Sequence, residues 1–484
     1  MDKETEEASL TTLFDSPKPY SMCLKESSPS EDMAHGFFEH IHSILVLNLS
    51  HTKIEFLPES ISNLKNLQEL LFRHCERLKM VPSLAKLKKL RVLDLSHTII
   101  KELPQGMDEL VNLRRLDLSY TRNLQTYPGG VLQKLPLLED LLMFESRCSW
   151  TLNLSDGLAG ADINEITSAT HLANLSIHFV DLPSFIFYVK SRHWQRLKSF
   201  RYDIGRVPNC LPLASFRWKY SVQILGCDLI DEKDSLLLPS FTLELVIKNC
   251  RGISCLSEMQ CISQLWNLKE CSVVDCDTME CILMVENNIL PDMEELILYN
   301  LPNLGTLHRG VPQFDTLSSL KSVTVEHCHS LKYLFAFVLF QHLRNLEYVR
   351  LWMCDQIEEI VVEDEGMADR DRSNTITLPR LKELWLGFLG ELRSISKMAV
   401  VCDSLVTIVV VNCPKLKKLP LSVGNAQHLL AVPATGGQAP TERSWSPDTP
   451  PAHEERQQAK SFSFMSVSSS RKRSAWNFNG SDRG

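Results

Sequence analysis

No apolar run in this chain of 484 residues approaches the roughly 20 residues needed to cross a bilayer. Even "LKYLFAFVLFQHL", beginning at Leu331, is interrupted by charge within about a dozen residues. The start, "MDKETEEASLTTLFDSPKPYS", lacks the basic cluster and apolar core of a secretory signal, so the expectation is a soluble, intracellular chain. Charge of one sign is not in large excess: 51 Lys and Arg stand against 59 Asp and Glu, a formal net charge of −8. Nothing in that balance favours nucleic acid or an anionic membrane as partner. Also missing are the phosphate loop G-x-x-x-x-G-K-[ST], the zinc motif H-E-x-x-H, the elbow G-x-S-x-G and a dinucleotide-type glycine run. The sequence therefore predicts no enzyme, no cofactor and no metal. "CLPLA", from Cys210 to Ala214, belongs to no such motif.

What is present is a repeated sentence. "LRVLDLSHTIIKELP" from Leu90 returns in outline as "LRRLDLSYTRNLQTYP" from Leu113 and is preceded by "LQELLFRHCERLKMVP" from Leu67. With the first leucine as position 1, apolar residues recur at 4 and 6, a small residue sits at 9 and another apolar residue follows near 12. The phase starts at Ile44, Leu67, Leu90 and Leu113, then less regularly at Leu138, Leu172, Leu197, Lys219, Thr242, Leu268, Met293, Leu320, Leu346, Leu381 and Leu405. A fixed period overrules any division of the chain by length into ordinary domains. The alternation at 4 and 6 is that of a short strand with one buried face. Segments such as "PESISNLKNL" return the chain through a proline turn and a short helix or irregular turn. No unit can bury its apolar edge alone, so neighbours must stack, and the fold class is an α/β solenoid.

These phrases resemble leucine-rich repeats, in particular those of plant intracellular immune receptors of the nucleotide-binding, leucine-rich-repeat family. "LRVLDLSHTIIKELPQGMDELVNLRRLDLS" is similar to that family's first repeats, and "LPRLKELWLGFLGELRSI" and "LVTIVVVNCPKLKKLPL" to its late ones. The resemblance covers residues 37–423 and implies a horseshoe with a parallel sheet on its concave side and short helices or turns on its convex side. The units lack the "GxIP" turn of plant extracellular receptors, in agreement with an intracellular chain. Family members carry a nucleotide-binding switch before the repeats; only about forty residues precede them here. Those residues, 1–36, are polar and without repeat phase and are expected to be disordered or a short cap; residues 424–484, rich in Pro, Gly, Gln and Ser, are expected to be a disordered tail. Arg471, Lys472 and Arg473 in the tail form a weak nuclear-targeting candidate beside an otherwise cytoplasmic expectation.

Cys75, Cys227, Cys250, Cys276, Cys328, Cys354 and Cys413 all fall at position 9, where Thr52, Thr98, Thr121 and Ser146 stand in other units. That shared register predicts buried, reduced thiols packed as small hydrophobes rather than disulfides or ligands. Cys271, Cys276 and Cys281, with Cys255 and Cys261 nearby, lack the paired two-to-four spacing of structural zinc sites, and so do His327 and His329. The acidic stretch from Val362 to Thr375 lacks the calcium-loop spacing and is expected to be a solvated insertion.

Recognition is expected on the concave face, an arc of roughly 70 Å if about fifteen strands stand ~4.8 Å apart. Its outward positions carry Asp94, Asp117, Ser119 and Tyr120 early, Phe144 and Phe179 in the middle, and Tyr299, Trp352, Met353, Trp385 and Phe388 late. Trp352 and Trp385 should lie on adjacent strands as exposed anchors, with Arg350 and Glu383 as a polar rim. The alternative is that these aromatics pack on the next loop or lie under the insertion before Ile376. A basic cluster, Lys86, Lys88, Lys89, Arg91, Arg114 and Arg115, resembles the surface that docks on the switch in family members, or is an ordinary solvated face. The expected partner is a protein: a pathogen effector, a guarded host protein or a nucleotide-binding receptor domain. Two rivals are an adaptor presenting substrates to a ubiquitin ligase, for which "GFFEHIHSIL" is too short a docking domain, and a truncated receptor fragment.

Overall fold

The computed structural model describes residues 21–23, 36–41, 43–125, 127–152, 160–205, 219–232, 234–284, 290–312, 315–363, 375–416, 421–422 and 430–431. Most of the tail, its basic triplet, the "CLPLA" segment and most of the acidic insertion lie outside them.

Among the described residues the chain builds one parallel sheet of 19 strands. Two of these form a side branch: Ser149–Thr151 meets Asn174–Phe179 through Trp150 and Phe179, and Gly160–Asp162 pairs with Ser149–Thr151. The others follow one another in chain order, each repeat adding a strand beside the last. The order continues through Glu270–Val274, Glu295–Tyr299, Ser322–Glu326, Tyr348–Trp352, Glu383–Gly387 and Thr407–Val411. Positions 1, 4 and 6 point into one continuous core: Leu90, Leu93 and Leu95 are fully buried, as are Leu113, Leu116 and Leu118. Short 3₁₀ helices such as Glu59–Asn63, Met107–Glu109 and Gln260–Gln264 make the return, and α-helices of six and nine residues stand at Ile163–Ser168 and Leu182–Lys190. This is the α/β solenoid that the period required.

The sheet extends beyond residues 37–423 at both ends. Ser21–Cys23 pairs in parallel with Val46–Asn48, and Leu430–Ala431 pairs with Thr407–Val411. The free edge of a sheet offers unpaired N–H and C=O groups, and a short strand needs no repeat phase to satisfy them. Smaller parallel ladders on the returning side, Cys281–Met284 with Thr306–Arg309, Tyr333–Ala336 with Glu359–Val362, and Thr375–Thr377 with Ala399–Val401, give the later repeats a second row of strands.

Most of the repeat strands described end in the same corner. The residue at position 8 takes a left-handed conformation in His51, His74, His97, Tyr120, Asn249, Asp275, Asn300, His327, Met353, Phe388 and Asn412, with φ between 48° and 63°. That conformation costs an L-residue roughly 1–2 kcal/mol, and the stacked repeats compensate it with hydrogen bonds. His74 N donates to Ser96 O at 3.0 Å, His97 N to Ser119 O at 2.9 Å and Phe388 N to Val411 O at 2.7 Å. In the "LDLS" repeats the Asp94 and Asp117 carboxylates accept from Ser96 N at 2.9 Å and Ser119 N at 3.1 Å, holding the turn from the side-chain end. Position 9 then turns inward as a ladder. Thr98 Oγ1 donates to Leu95 O at 2.7 Å, Thr121 Oγ1 meets Ser146 Oγ at 2.9 Å, and Cys75 Sγ reaches Leu49 O at 3.0 Å. All cysteines among the described residues are free, and burial pushes the Cys276 and Cys413 thiols up to about 11. They act as neutral donors to carbonyls, Cys276 Sγ to Val274 O at 3.3 Å and Cys413 Sγ to Val411 O at 3.5 Å.

Candidate protein-binding face

Residues between the core positions form rows across the opposite face of the sheet. In one row Gln223, Val246, Ser272, Ile297, Thr324, Arg350, Trp385 and Val409 stand in register on adjacent strands. In the next stand Leu225, Lys248, Val274, Tyr299, Glu326, Trp352, Gly387 and Val411. Trp352 and Trp385 are thus on neighbouring strands, but Trp385 lies opposite Arg350 and Trp352 lies opposite Gly387.

That register changes the site. Trp352 is only 7% exposed and Arg350 only 3%, so neither is the exposed anchor or rim residue expected of it. Gly387 leaves a gap in which the indole lies: a Cβ added there would stand 2.3 Å from Trp352 Cε3 and Cζ3. The Arg350 guanidinium sits 4.4 Å from the Trp352 ring and 5.7 Å from the Trp385 ring, a cation held against two π faces. Its Nε donates to Glu326 Oε1 at 2.6 Å in an ion pair that is buried on both sides. Phe388 closes the far side of Trp352, its ring 5.5 Å away and nearly edge-on.

The other predicted residues remain half-buried and reachable: Tyr299, Met353, Glu383, Trp385 and Phe388. Trp385 Nε1 donates to Glu383 Oε2 at 3.0 Å, so Glu383 orients the indole. Met353 and Phe388 occupy consecutive left-handed corners, and Met353 N donates to Gly387 O at 2.9 Å. Tyr299 stands two strands from Trp352 and meets His327 at 5.2 Å. The late face is therefore a half-exposed apolar edge of Trp385, Met353 and Phe388 laid over a buried Trp352–Arg350–Glu326 base.

Phe179, expected on the outward side, is fully buried. The strand Asn174–Phe179 is six residues long, so its alternation carries Leu175, Ile177 and Phe179 all inward, and Phe179 packs on Phe185, Tyr188 and Tyr202. Phe144 is 5% exposed, beneath the Arg201 guanidinium at 3.9 Å. Much of the early basic cluster is answered within the solenoid: Lys88 pairs with Glu109, Arg114 with Glu139 at 2.5 Å, and Arg115 with Asp117 at 3.1 Å.

Two features escaped the sequence reading. Glu244, Glu270 and Glu295 stand in register on three adjacent strands and are buried; their common place at position 3 was the available signal. The recurrent "LSHT" and "LSYT" conceal a stack. The rings of His51, His74, His97 and Tyr120 succeed one another at 4.8, 3.9 and 4.0 Å, with planes within 24° of parallel. Burial, then neighbouring His74 and Arg73, hold His97 down at about 4, against Asp117 and Glu76; burial, His51 and Arg73 lower His74 in the same way. A histidine depressed in the folded state binds fewer protons than when unfolded, so its contribution to stability is full above about pH 6.5 and is lost as pH falls toward 4. The melting temperature should fall across that window, and less in His97→Tyr, which repeats the residue of the next unit. Equal slopes for the two proteins would show that the stack does not titrate in this way.

The family matches agree with this repeat. The family described as "Plant disease resistance protein RPS2-like, leucine-rich repeats" matches residues 239–355 and 311–431, and "Leucine rich repeat" matches residues 83–147. "Probable disease resistance protein At4g27220" of Arabidopsis thaliana is 32% identical over 412 residues, covering 84% of this chain and 44% of that protein. "Disease resistance protein At4g27190" of the same organism is 29% identical over 403 residues, covering 80% of this chain and 40% of that protein. The chain thus spans less than half the length of these curated relatives. Among solved structures, a Leptospira interrogans leucine-rich-repeat protein, LIC12759, aligns at a TM-score of 0.42 and 16% identity, covering 83% of this chain and 95% of that one. An internalin, InlF, from Listeria monocytogenes aligns at 0.41 and 16%, covering 72% and 87%. No helix among the described residues is long and apolar enough to cross a membrane. The chain carries a leucine-rich-repeat region of the kind found in plant disease resistance proteins.

Proposed function

We propose that this chain is a protein-recognition module, acting by binding rather than turnover, whose late concave face engages a pathogen protein, a guarded host protein or a nucleotide-binding receptor domain. Cytoplasm, with access to the nucleus, is the setting this reading implies. The observation that carries it is the half-exposed trio Trp385, Met353 and Phe388 on consecutive repeats, with Tyr299 and Glu383 beside it. Aromatic and methionine side chains at the centre of a face are the residues that dominate protein interfaces, and here a rigid buried base holds them in place. Adaptor function for a ubiquitin ligase has no observation in its favour.

The test separates binding from folding. The full chain and its Trp385→Ala/Phe388→Ala variant are titrated against the part of the At4g27220 relative that this chain does not match and used to capture proteins from leaf tissue under quantitative mass spectrometry. Loss of two central anchors should weaken capture by about tenfold to a hundredfold, with an unchanged circular dichroism spectrum and a nearly unchanged melting temperature. Equal capture by both proteins would remove the late face from the reading.

A further inference from the structure

The position-9 ladder has one rung unlike the others. Cys75, Cys250, Cys276, Cys328, Cys354 and Cys413 are buried, whereas Cys227 is partly open to solvent. The residue before it explains the difference. Those six rungs follow a left-handed corner bearing a side chain, namely His74, Asn249, Asp275, His327, Met353 and Asn412; Cys227 follows Gly226, exposed and at φ 62°, which has no side chain.

Its neighbour is another thiol. The strands Tyr220–Leu225 and Glu244–Lys248 pair with Leu225 opposite Lys248, and each cysteine follows two residues later. The two Cα atoms are therefore about one strand spacing apart, ~4.8 Å, within the roughly 4.4–6.8 Å that a disulfide spans. The two thiols are close enough to shift each other's titration, Cys227 down and Cys250 up. Both are also steered by carbonyls, Cys227 Sγ toward Leu225 O at 3.5 Å and Ile204 O at 3.8 Å, and Cys250 Sγ toward Lys248 O at 3.4 Å and Ile224 O at 3.5 Å. A half-buried cysteine thus stands beside a buried one.

We propose that Cys227 and Cys250 are an oxidative modification site, in which hydrogen peroxide oxidises Cys227 and Cys250 resolves it as an intrachain disulfide joining two neighbouring repeats. In the first step the Cys227 thiolate attacks peroxide; an S–O bond forms, the O–O bond breaks, hydroxide leaves and takes a proton as water, and Cys227 becomes the sulfenic acid. In the second the Cys250 sulfur, losing its proton, attacks the Cys227 sulfur and expels a second water. Two thiols and one peroxide give one disulfide and two waters. The neighbouring Cys250 thiol lowers the Cys227 thiol below its ordinary value, against burial, which favours the attacking thiolate at the partly exposed residue. The remaining ladder cysteines have no such opening. This inference stands apart from the protein-binding reading, since it needs no partner.

The reduced full chain is treated with hydrogen peroxide under native conditions, remaining thiols are alkylated, and tryptic peptides are mapped by mass spectrometry. Cleavage after Lys219, Lys233, Lys248 and Arg251 places the two cysteines in separate peptides, 220–233 and 249–251. The expected result is that these two become linked as the main oxidised product, reversibly with dithiothreitol, while Cys75 and Cys276 stay alkylated. In Cys250→Ala, dimedone should trap the sulfenic acid on Cys227; in Cys227→Ala, Cys250 should remain a thiol. The proposal is overturned if wild-type Cys227 survives as a thiol, goes to sulfinic or sulfonic acid with Cys250 still alkylatable, or if Cys250 links to Cys276 instead. The wild-type map decides these outcomes even if a variant fails to fold.

Discussion

Arg350→Ala is expected to lower the stability of the late repeats by about 3–5 kcal/mol, the usual loss when one partner of a buried ion pair is removed and the other stays. Arg350 and Glu326 are 3% and 4% exposed at their side chains and meet at 2.6 Å. Truncation leaves the Glu326 carboxylate without this counterion in a site closed to water, and takes the cation from the Trp352 ring 4.4 Å away. A solenoid transmits such damage in a particular way. Its repeats are stabilised mainly by their neighbours, so weakening one junction lets the array melt in two parts. Urea unfolding should show an early transition with a smaller m-value than the wild-type curve, followed by the rest. Replacing both partners, Arg350→Met with Glu326→Leu, should recover most of the loss, because the desolvation penalty disappears along with the pair. A shift below about 1 kcal/mol for Arg350→Ala would mean that the pair is screened like a surface bridge.

The repeat architecture could be read from spacing alone because each strand repeats a rule of period two inside a rule of roughly 23 residues, and both act on the same leucines. The cysteine ladder followed for the same reason: Cys75 shares its register with Thr52 and Thr98, and the hydroxyls and thiols make equivalent bonds to carbonyls. What spacing does not encode is the height of a neighbour. Whether Trp352 stands up or lies down depends on the residue facing it 35 positions later, and Gly387 offers no side chain to hold it up. Arg350 likewise looked like a rim charge until Glu326, on the preceding strand, was placed one row away. Phe179 was misplaced because the six-residue strand Asn174–Phe179 does not turn at position 8 as the three-residue strands do. The edge strand Ser21–Cys23 has no repeat phase, since hydrogen bonding to an open edge requires none.

Gly387→Val should destabilise the fold by about 1–3 kcal/mol through overpacking, and its effect should reverse when Trp352 is shortened. Gly387 has no positive φ, so backbone strain does not enter; the obstacle is the indole alone, with ring carbons 2.3 to 2.6 Å from the position of an added Cβ. No rotation of the new side chain relieves a contact made by Cβ itself, so the ring must move. It is confined by Phe388 at 5.5 Å and by the Arg350 guanidinium at 4.4 Å, and Arg350 is tied to Glu326. The strain is therefore passed to the ion pair. In a Trp352→Ala background the same space is empty, and a valine on a strand gains the propensity and burial that glycine lacks, so Gly387→Val should there be neutral or stabilising by a few tenths to about 1 kcal/mol. The double-mutant cycle should give a coupling of about 1–3 kcal/mol with the sign of a relieved clash. Additive losses would instead place Trp352 away from Gly387, standing free on the concave face as an anchor for a partner, and would return it to the binding edge with Trp385.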